Sequence, residues 1–179
     1  MPLPHSTVPA MAFLLAVMSS PAATSATAQP PAQVFGWIEE GLLLPEKASL
    51  KIKLDTGALT SSMDAKDLQH FQKNGEDWVR FKVEVKDSNT GKPVAMAFER
   101  RVARNVKVRG AGGEERRPVV KMRMCIGNRV YNEEFSLKDR GKMLYPVLIG
   151  RHTLQHLGAV DVSRTFTTEP RCEGDKSGG

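Results

Sequence analysis

Alternating apolar and charged residues in the middle of the chain predict antiparallel β-strands. Residues 78–86 read WVRFKVEVK, and residues 94–102 alternate in the same way, which is the pattern of strands that bury one face. Between them, residues 87–93 (DSNTGKP) form a cluster of turn-forming residues. The two runs therefore predict a hairpin.

A second hairpin is predicted further along the chain. Residues 119–126 (VVKMRMCI) and residues 130–137 are rich in strand-forming side chains, and Gly127-Asn128 supplies the turn between them. Upstream, the run at residues 106–109 leads into a glycine-rich tip at residues 110–113. Short strands separated by frequent turns favour an all-β, mainly antiparallel fold, either a small barrel or a sandwich.

Two stretches predict helix instead of strand. Residues 62–73 are expected to contain at least one helical turn, and residues 151–157 (RHTLQHL) are typical of a short helix that ends at Gly158. From Glu169 onward the residues are polar and glycine-rich. This composition predicts a disordered tail over residues 169–179.

The beginning of the chain predicts an export signal peptide over residues 1–28. Residues 11–18 (MAFLLAVM) are apolar but too short to span a bilayer, and the small residues Ala26-Thr27-Ala28 suit a cleavage site. The alternative is a disordered N-terminal tail, because no Lys or Arg precedes the apolar run. We expect a periplasmic or secreted protein with no membrane span, whose folded domain covers residues 29–168.

The composition suits one soluble domain and excludes a larger multidomain enzyme. The chain has 179 residues, 40% of them hydrophobic, and a net charge of +6. Basic side chains are concentrated between residues 100 and 129. We interpret them as a solvated sheet face; the alternative is a surface that attracts an acidic peptide, a partner protein or an anionic envelope surface. Nucleic acid is not expected, because no aromatic residues lie among these basic ones.

The chain contains two cysteines, Cys125 and Cys172. Two are too few for a disulfide-rich scaffold, although an exported protein can pair them. Cys125 falls in a predicted strand and Cys172 in the polar tail, so a free thiol and a disulfide to the tail both remain open.

Candidate catalytic chemistry appears where the first alternating run ends. Residues 50–54 place Leu and Ile on one side, and Asp55 follows on the opposite side. Gly57 permits a tight turn, and the Thr56 hydroxyl can hold that turn in place. An isolated Asp-Thr-Gly sequence is more often an ordinary turn than a catalytic loop, so the motif needs a second element.

That second element lies far downstream, at Leu148-Ile149-Gly150-Arg151. With Asp55-Thr56-Gly57-Ala58, it resembles the retropepsins, single-lobe aspartic proteases that carry both segments in this order. A broader resemblance covers nearly all of the mature chain, to the bacterial retropepsin-like family often labelled "ATP-dependent zinc protease". The segments that carry it are Gly36-Trp37-Ile38-Glu39, Leu44-Pro45, Lys53-Leu54-Asp55-Thr56-Gly57-Ala58, Ser61-Ser62, Arg117-Pro118, Leu137-Lys138-Asp139-Arg140 and Tyr145-Pro146-Val147-Leu148-Ile149-Gly150-Arg151.

The resemblance implies a closed β-barrel with one or two short helices and an aspartic endopeptidase that hydrolyses peptide bonds. Aspartic proteases use two carboxyl groups that share one proton and activate a water molecule. The residues expected to form the site are Asp55, Thr56 and Gly57 for catalysis, Ala58, Gly112 and Gly113 for substrate binding, and Gly150 and Arg151 for structural support.

The family label also mentions ATP and zinc, and the residues support neither. The glycines at 110–113 lack the Lys and Ser or Thr of a phosphate-binding loop. His152 and His156 are four residues apart but lack the glutamate of His-Glu-x-x-His proteases, and His70 is distant in sequence. We expect no cofactor and no metal, with a metal-dependent hydrolase as a minor alternative.

The chain contains one Asp-Thr-Gly, so a dyad needs a second acid. A symmetric homodimer would supply Asp55 twice, while Asp64, Asp139 and Asp161 are the alternatives within the chain. A flap over the cleft is expected at residues 110–113 or, alternatively, at residues 87–93. The competing function is a catalytically silent module that binds a peptide or a partner on the same fold.

Overall fold

The computed structural model describes residues 33–110, 113–139, 141 and 144–172, and these form an all-β fold with one short helix. The all-β prediction is confirmed, whereas the predicted signal peptide and Gly112 lie outside the described residues. The elements are β1 (Val34–Leu43), β2 (Ala48–Leu54), β3 (Ser61–Asp64), β4 (Lys66–Lys73), β5 (Glu76–Lys86), β6 (Pro93–Gly110), β7 (Gly113–Ile126), β8 (Arg129–Lys138), β9 (Val147–Ile149), α1 (Arg151–Leu157) and β10 (Ala159–Thr165).

The strands form one continuous sheet, and six of them are paired in a closed ring. Their order is β10-β1-β2-β9-β3-β8-β7-β6-β5-β4, and β1 pairs additionally with β7. Leu42 of β1 lies between Ser49 of β2 and Cys125 of β7. Strands β1, β2, β9, β3, β8 and β7 are therefore connected in a ring of pairings. In the part of the chain that the structure describes, no helix is long and apolar enough to cross a bilayer.

Both predicted hairpins are present, and they bury the faces that the alternation indicates. In the β5–β6 hairpin, Val79, Phe81 and Val83 are buried, and the rings of Phe81 and Phe98 lie 5.6 Å apart. The run predicted at residues 106–109 belongs to the same long strand, β6. The first half of β6 pairs with β5 and its second half with β7.

The helix predicted over residues 62–73 is wrong, because this stretch forms strands β3 and β4. All four residues of β3 are buried between β8 and β9, so long-range sheet pairing overrides the local preference. The helix predicted at residues 151–157 is confirmed as α1. Gly158 ends it with a φ of 150°, and a Cβ there would lie 2.1 Å from the Gln33 carbonyl oxygen.

The two cysteines form a disulfide, which decides between the two alternatives that the sequence left open. The bond attaches the first residues of the predicted tail to the end of β7. The Arg171 N–H also donates to the Gly127 carbonyl at 2.7 Å. Residues 173–179, the remainder of that tail, lie outside the described residues.

Buried Glu39 of β1 holds the segment that leads to Cys172. Its carboxylate accepts hydrogen bonds from the Gly36 N–H and from the N–H and hydroxyl groups of Thr167 and Thr168. Because Glu39 is fully buried, these donors replace the water that an ionised carboxylate would otherwise need.

Candidate active site

Asp55 lies directly after β2, on the side of the strand that faces away from the core. Leu50, Ile52 and Leu54 are buried, and strand alternation therefore directs Asp55 to the opposite face. The Asp55 N–H donates to the Ile149 carbonyl of β9 at 2.8 Å. The transition from strand to loop is thus fixed by the late segment at residues 148–151.

The side-chain carboxylate and the backbone carbonyl of Asp55 close the loop that follows the strand. One carboxylate oxygen, Oδ1, accepts the Gly57 N–H at 3.0 Å, and the Asp55 carbonyl accepts the Ala58 N–H at 3.2 Å. The other oxygen, Oδ2, lies 3.4 Å from the Lys53 ammonium, and 24% of the Asp55 side chain is exposed. The carboxylate is therefore oriented by its own loop and still open to solvent.

Arg151, at the start of α1, supports the same loop from outside. Its guanidinium Nη1 donates to the Thr56 carbonyl at 2.9 Å and to the Gly57 carbonyl at 3.2 Å. Its backbone N–H donates to the Ala58 carbonyl at 2.9 Å. The Thr56 and Gly57 carbonyls are otherwise exposed loop acceptors, so one side chain fixes two consecutive peptide groups.

Gly150 allows the helix start to approach the chain closely. A Cβ at this position would lie 2.7 Å from the Thr60 carbonyl carbon and 2.9 Å from the Ser61 nitrogen. The Gly150 N–H donates to the Ser61 hydroxyl at 3.0 Å, and that hydroxyl lies 2.8 Å from the Thr153 hydroxyl. Gly150 and Arg151 therefore contact the segment that follows Asp55, and the supporting role given to them from the sequence stays a prediction.

The hydroxyl network behind the loop was not predicted. Ser61 and Thr153 are buried, and buried Ser136 donates its hydroxyl to the Ser61 carbonyl at 3.1 Å. Their polar groups satisfy one another in a region without access to water. The Ser-Ser pair after the Asp-Thr-Gly loop was visible in the sequence, but its partners come from β8 and α1.

The other acids considered for the dyad have partners elsewhere. Lys66 contacts Asp64 at 3.2 Å and also contacts Asp139, and the Lys66 hydrogen bond, followed by the Gly141 N–H, lowers the pKa of Asp139. Asp161 caps a local turn, where the Ser163 hydroxyl and N–H lower its pKa. Among the described residues, the hydrogen bonds and ion pairs of the Asp55 carboxylate involve Lys53 and Gly57.

Strand register places a continuous face beside Asp55. Lys53 lies opposite Leu148, Leu148 opposite Ser62, and Ser62 opposite Ser136. Residues directly opposite each other in paired strands share a face. The face that carries Lys53 and Asp55 on β2 therefore extends across β9, β3 and β8, and Ser136 is in turn opposite Val119 of β7.

The β6–β7 hairpin extends from this face and is the first of the two flap candidates. Glu115 and Arg117 alternate with Val119 on β7 and so lie on the Asp55 face. Glu115 accepts from Arg117 at 2.8 Å and from Lys138 of β8 at 2.7 Å, and these two cations lower the pKa of Glu115, Lys138 first. Gly113, at the described end of the tip, has a φ of 104°.

The rival flap, at residues 87–93, is a compact turn. The Asp87 carboxylate accepts the N–H groups of Ser49, Asn89 and Thr90, and these bonds, Ser49 first, lower the pKa of Asp87. The Ser88 N–H also donates to the Ser49 carbonyl at 3.0 Å. A turn fixed to β2 in this way is less suited to move than the extended β6–β7 hairpin.

The histidines among the described residues, His70, His152 and His156, do not converge on a metal site. His156 contacts Glu133 at 2.8 Å, and His70 and His152 are exposed. Across the ranges that the structure describes, no group of three or more His, Cys, Asp or Glu residues is arranged to hold a metal ion.

Known proteins resemble this chain in sequence and in structure. A crystal structure of a protein of unknown function (DUF785) from Legionella pneumophila has a TM-score of 0.64 and 33% sequence identity, covering 76% of this chain and 98% of that one. A "Probable alpha-L-glutamate ligase" from Shewanella pealeana is 30% identical over 72% of this chain and 27% of its own length. One from Shewanella halifaxensis is 29% identical over 66% and 26%. The chain spans about a quarter of the curated relatives it matches.

A family model described as "Retropepsin-like aspartic endopeptidase RimB" matches residues 34–171. This range contains the Asp55 loop and its Gly150-Arg151 support. The retropepsin-like resemblance is thereby confirmed, whereas neither the model nor these relatives carry the name of an ATP-dependent zinc protease. The chain belongs to the RimB-like family, described as retropepsin-like aspartic endopeptidases.

Proposed function

We propose that this protein is an aspartic endopeptidase in which Asp55 is the catalytic acid. The observation that carries the proposal is the Asp55 loop itself. A part-exposed carboxylate is held by Gly57, and the loop is fixed by Arg151 and by the Ile149 carbonyl. Such preorganisation is what a group must have to act on a bound substrate. The closed barrel of retropepsins is part of the proposal, and the β1–β7 pairing supports it.

We infer that the second carboxylate is Asp55 of a second copy. Asp64, Asp139 and Asp161 each have other partners, and a two-fold axis brings identical loops together. In the resulting dyad, the ionised carboxylate takes a proton from water while the water oxygen attacks the amide carbon. The protonated carboxyl gives its proton to the carbonyl oxygen. When the tetrahedral intermediate collapses, the carbon–nitrogen bond breaks, the nitrogen leaves with the proton that the first carboxyl took from water, and the second carboxyl regains a proton from the intermediate's hydroxyl group.

Glutamate-rich peptides are the substrate class that we propose. The relatives' name refers to glutamate, and the face beside Asp55 carries the cations Lys53, Arg117 and Lys138. Of these, Arg117 and Lys138 share one carboxylate, that of Glu115. The three cations therefore retain an excess of positive charge, which would attract an acidic peptide. The ligase activity is part of the name of much longer proteins, and we do not propose it for this chain.

We also propose that the protein acts in the periplasm or is secreted. The Cys125–Cys172 disulfide supports this proposal, because disulfides persist in oxidising compartments and are rare in reducing ones.

The test compares the wild-type protein with Asp55→Asn on an unbiased peptide library and on glutamate-rich peptides, over acidic and neutral pH. We expect cleavage by the wild type, loss of cleavage in Asp55→Asn, and retained cleavage in the matched control Asp161→Asn. Equal cleavage by wild type and Asp55→Asn would remove Asp55 from the mechanism. Peptide binding without cleavage by either protein would favour the silent binding module.

Mixing the two proteins tests the shared dyad. If each site needs Asp55 from both copies, an equal mixture after subunit exchange retains about one quarter of the activity of the undiluted wild type, because a mixed dimer is inactive. A dyad within one chain would leave about one half. Sedimentation of the wild type at the assay concentration gives the oligomeric state directly.

A further inference from the structure

A cavity of about 560 Å³ lies beside the middle of β2, where Leu50 and Lys51 line it. Its apolar wall includes Leu144, Tyr145, Pro146 and Phe166, and Lys51 and Lys86 line it with their charged side chains. This volume falls in the range of sites that hold a ligand side chain or a small molecule.

Lys51, which lines the cavity, is on the same side of β2 as the candidate catalytic acid. Lys51, Lys53 and Asp55 occupy alternate positions and therefore point to the same side. Lys51 precedes Asp55 by four residues, which corresponds to roughly 13 Å along an extended strand. An extended peptide that reaches Asp55 and runs along β2 would therefore reach the cavity with a residue about four positions from the cleaved bond.

Two apolar side chains at the rim are left without cover. Leu144 is 80% exposed and Phe166 is 51% exposed. Below the rim, Tyr145 is supported by an edge contact with Trp37, with ring centroids 6.4 Å apart. Exposed apolar side chains around a concave site mark a surface that a ligand can cover.

The side chains that line the cavity carry more positive than negative charge. Among the described residues, neither the Lys51 nor the Lys86 ammonium lies within ion-pair distance of a carboxylate, and Lys51 instead lies 5.7 Å from the centre of the Phe166 ring. The Asp87 carboxylate is also present, but Ser49 and Thr90 occupy its oxygens. A ligand carboxylate would meet two ammonium groups here.

We propose that this cavity is an accessory substrate-binding site that takes a large apolar side chain next to an acidic residue, about four positions from the cleaved bond. The inference rests on the proposed endopeptidase function and deepens it, because glutamate alone would leave the apolar wall uncovered. Lys51 and Lys86 bind the carboxylate, and Phe166 and Tyr145 contact the apolar side chain.

Binding is measured by calorimetry with full-length Asp55→Asn protein, so that the result does not depend on cleavage. The probe is a glutamate-rich peptide with one Phe, compared with the same peptide carrying Ala in its place. We expect the Phe peptide to bind at least about fivefold more tightly, in line with the burial of an aromatic side chain. Adding Phe166→Ser should reduce that preference, whereas adding Lys51→Ala should weaken the binding of both peptides. The matched control is Lys92→Ala, an exposed lysine of the neighbouring turn that does not line the cavity.

The outcomes separate this inference from the proposed function. Equal binding of the two peptides, or equal losses in Lys51→Ala and Lys92→Ala, would overturn the accessory site even if the wild type cleaves peptides. A Phe preference that Phe166→Ser reduces, together with weaker binding of both peptides to Lys51→Ala, would support it even if no cleavage is found. In active protein, moving the Phe along the peptide should move the cleaved bond by the same number of residues.

Discussion

Replacing Gly150 with alanine tests whether the late segment holds the catalytic loop. The new Cβ would lie 2.7 Å from the Thr60 carbonyl carbon, 2.9 Å from the Thr60 oxygen and 2.9 Å from the Ser61 nitrogen. These are backbone atoms that cannot rotate away, so the strand or the helix start must shift. Overpacking of this kind costs about 1–3 kcal/mol, which is about 2–4 °C in Tm per kcal/mol for a domain of this size.

Two readouts follow the Gly150→Ala variant. Urea unfolding should show a loss of about 2 kcal/mol, and kcat should fall by about a hundredfold if the Asp55 loop moves by about 1 Å. The control is Gly41→Ala, whose nearest contact would be the Cys125 oxygen at 3.2 Å, so a smaller loss of stability and unchanged kcat are expected. Wild-type stability together with unperturbed NMR shifts of the Gly57 amide would refute the close-packing argument.

Substitutions at three further positions probe the contacts that stabilise the fold. Glu39→Ala should destabilise by about 3–5 kcal/mol in urea unfolding, because several buried donors lose their acceptor; Glu39→Gln should cost less, and equal costs would contradict this account. The lowered pKa of Asp87 means that its contribution is present above about pH 4 and is lost as pH falls further. Asp87→Asn should therefore be less stable than wild type at pH 7 and lose less stability below pH 4, whereas parallel pH curves would contradict the assignment. Cys172→Ser opens the loop to Cys125, with a sequence separation of 47, and should cost about 2–4 kcal/mol; a thermal scan that matches the wild type would show that the bond contributes nothing.

The predictions that succeeded used information local to the sequence. Alternation at residues 78–86 and 94–102 indicates which side of each strand is buried, because side chains of a strand point alternately to its two faces. The turn residues between the runs identify the hairpin. The short helix at residues 151–157 followed from its terminal glycine, since Gly158 adopts a φ of 150° and a Cβ there would meet the Gln33 carbonyl.

The helix prediction that failed, over residues 62–73, covered two strands with different kinds of partner. Residues 62–73 are short of apolar alternation and look helical on their own. Strand β3 pairs with the distant strands β8 and β9, and such long-range pairing leaves no periodic signal within the segment itself. Strand β4 instead pairs with β5, which follows it directly, so here the local signal of the Asn74-Gly75 turn was missed.

The sequence by itself determined the Asp55 loop as a candidate and, through the Ile149-Gly150-Arg151 resemblance, the segment that supports it. Only the tertiary structure decided how that support works. The contact of Arg151 with two loop carbonyls, the hydroxyl network around Ser61, the Cys125–Cys172 bond and the cavity at Lys51 all join residues far apart in the chain. Local sequence fixes which face of a strand is apolar, but only the packed chain fixes which distant group each polar atom meets.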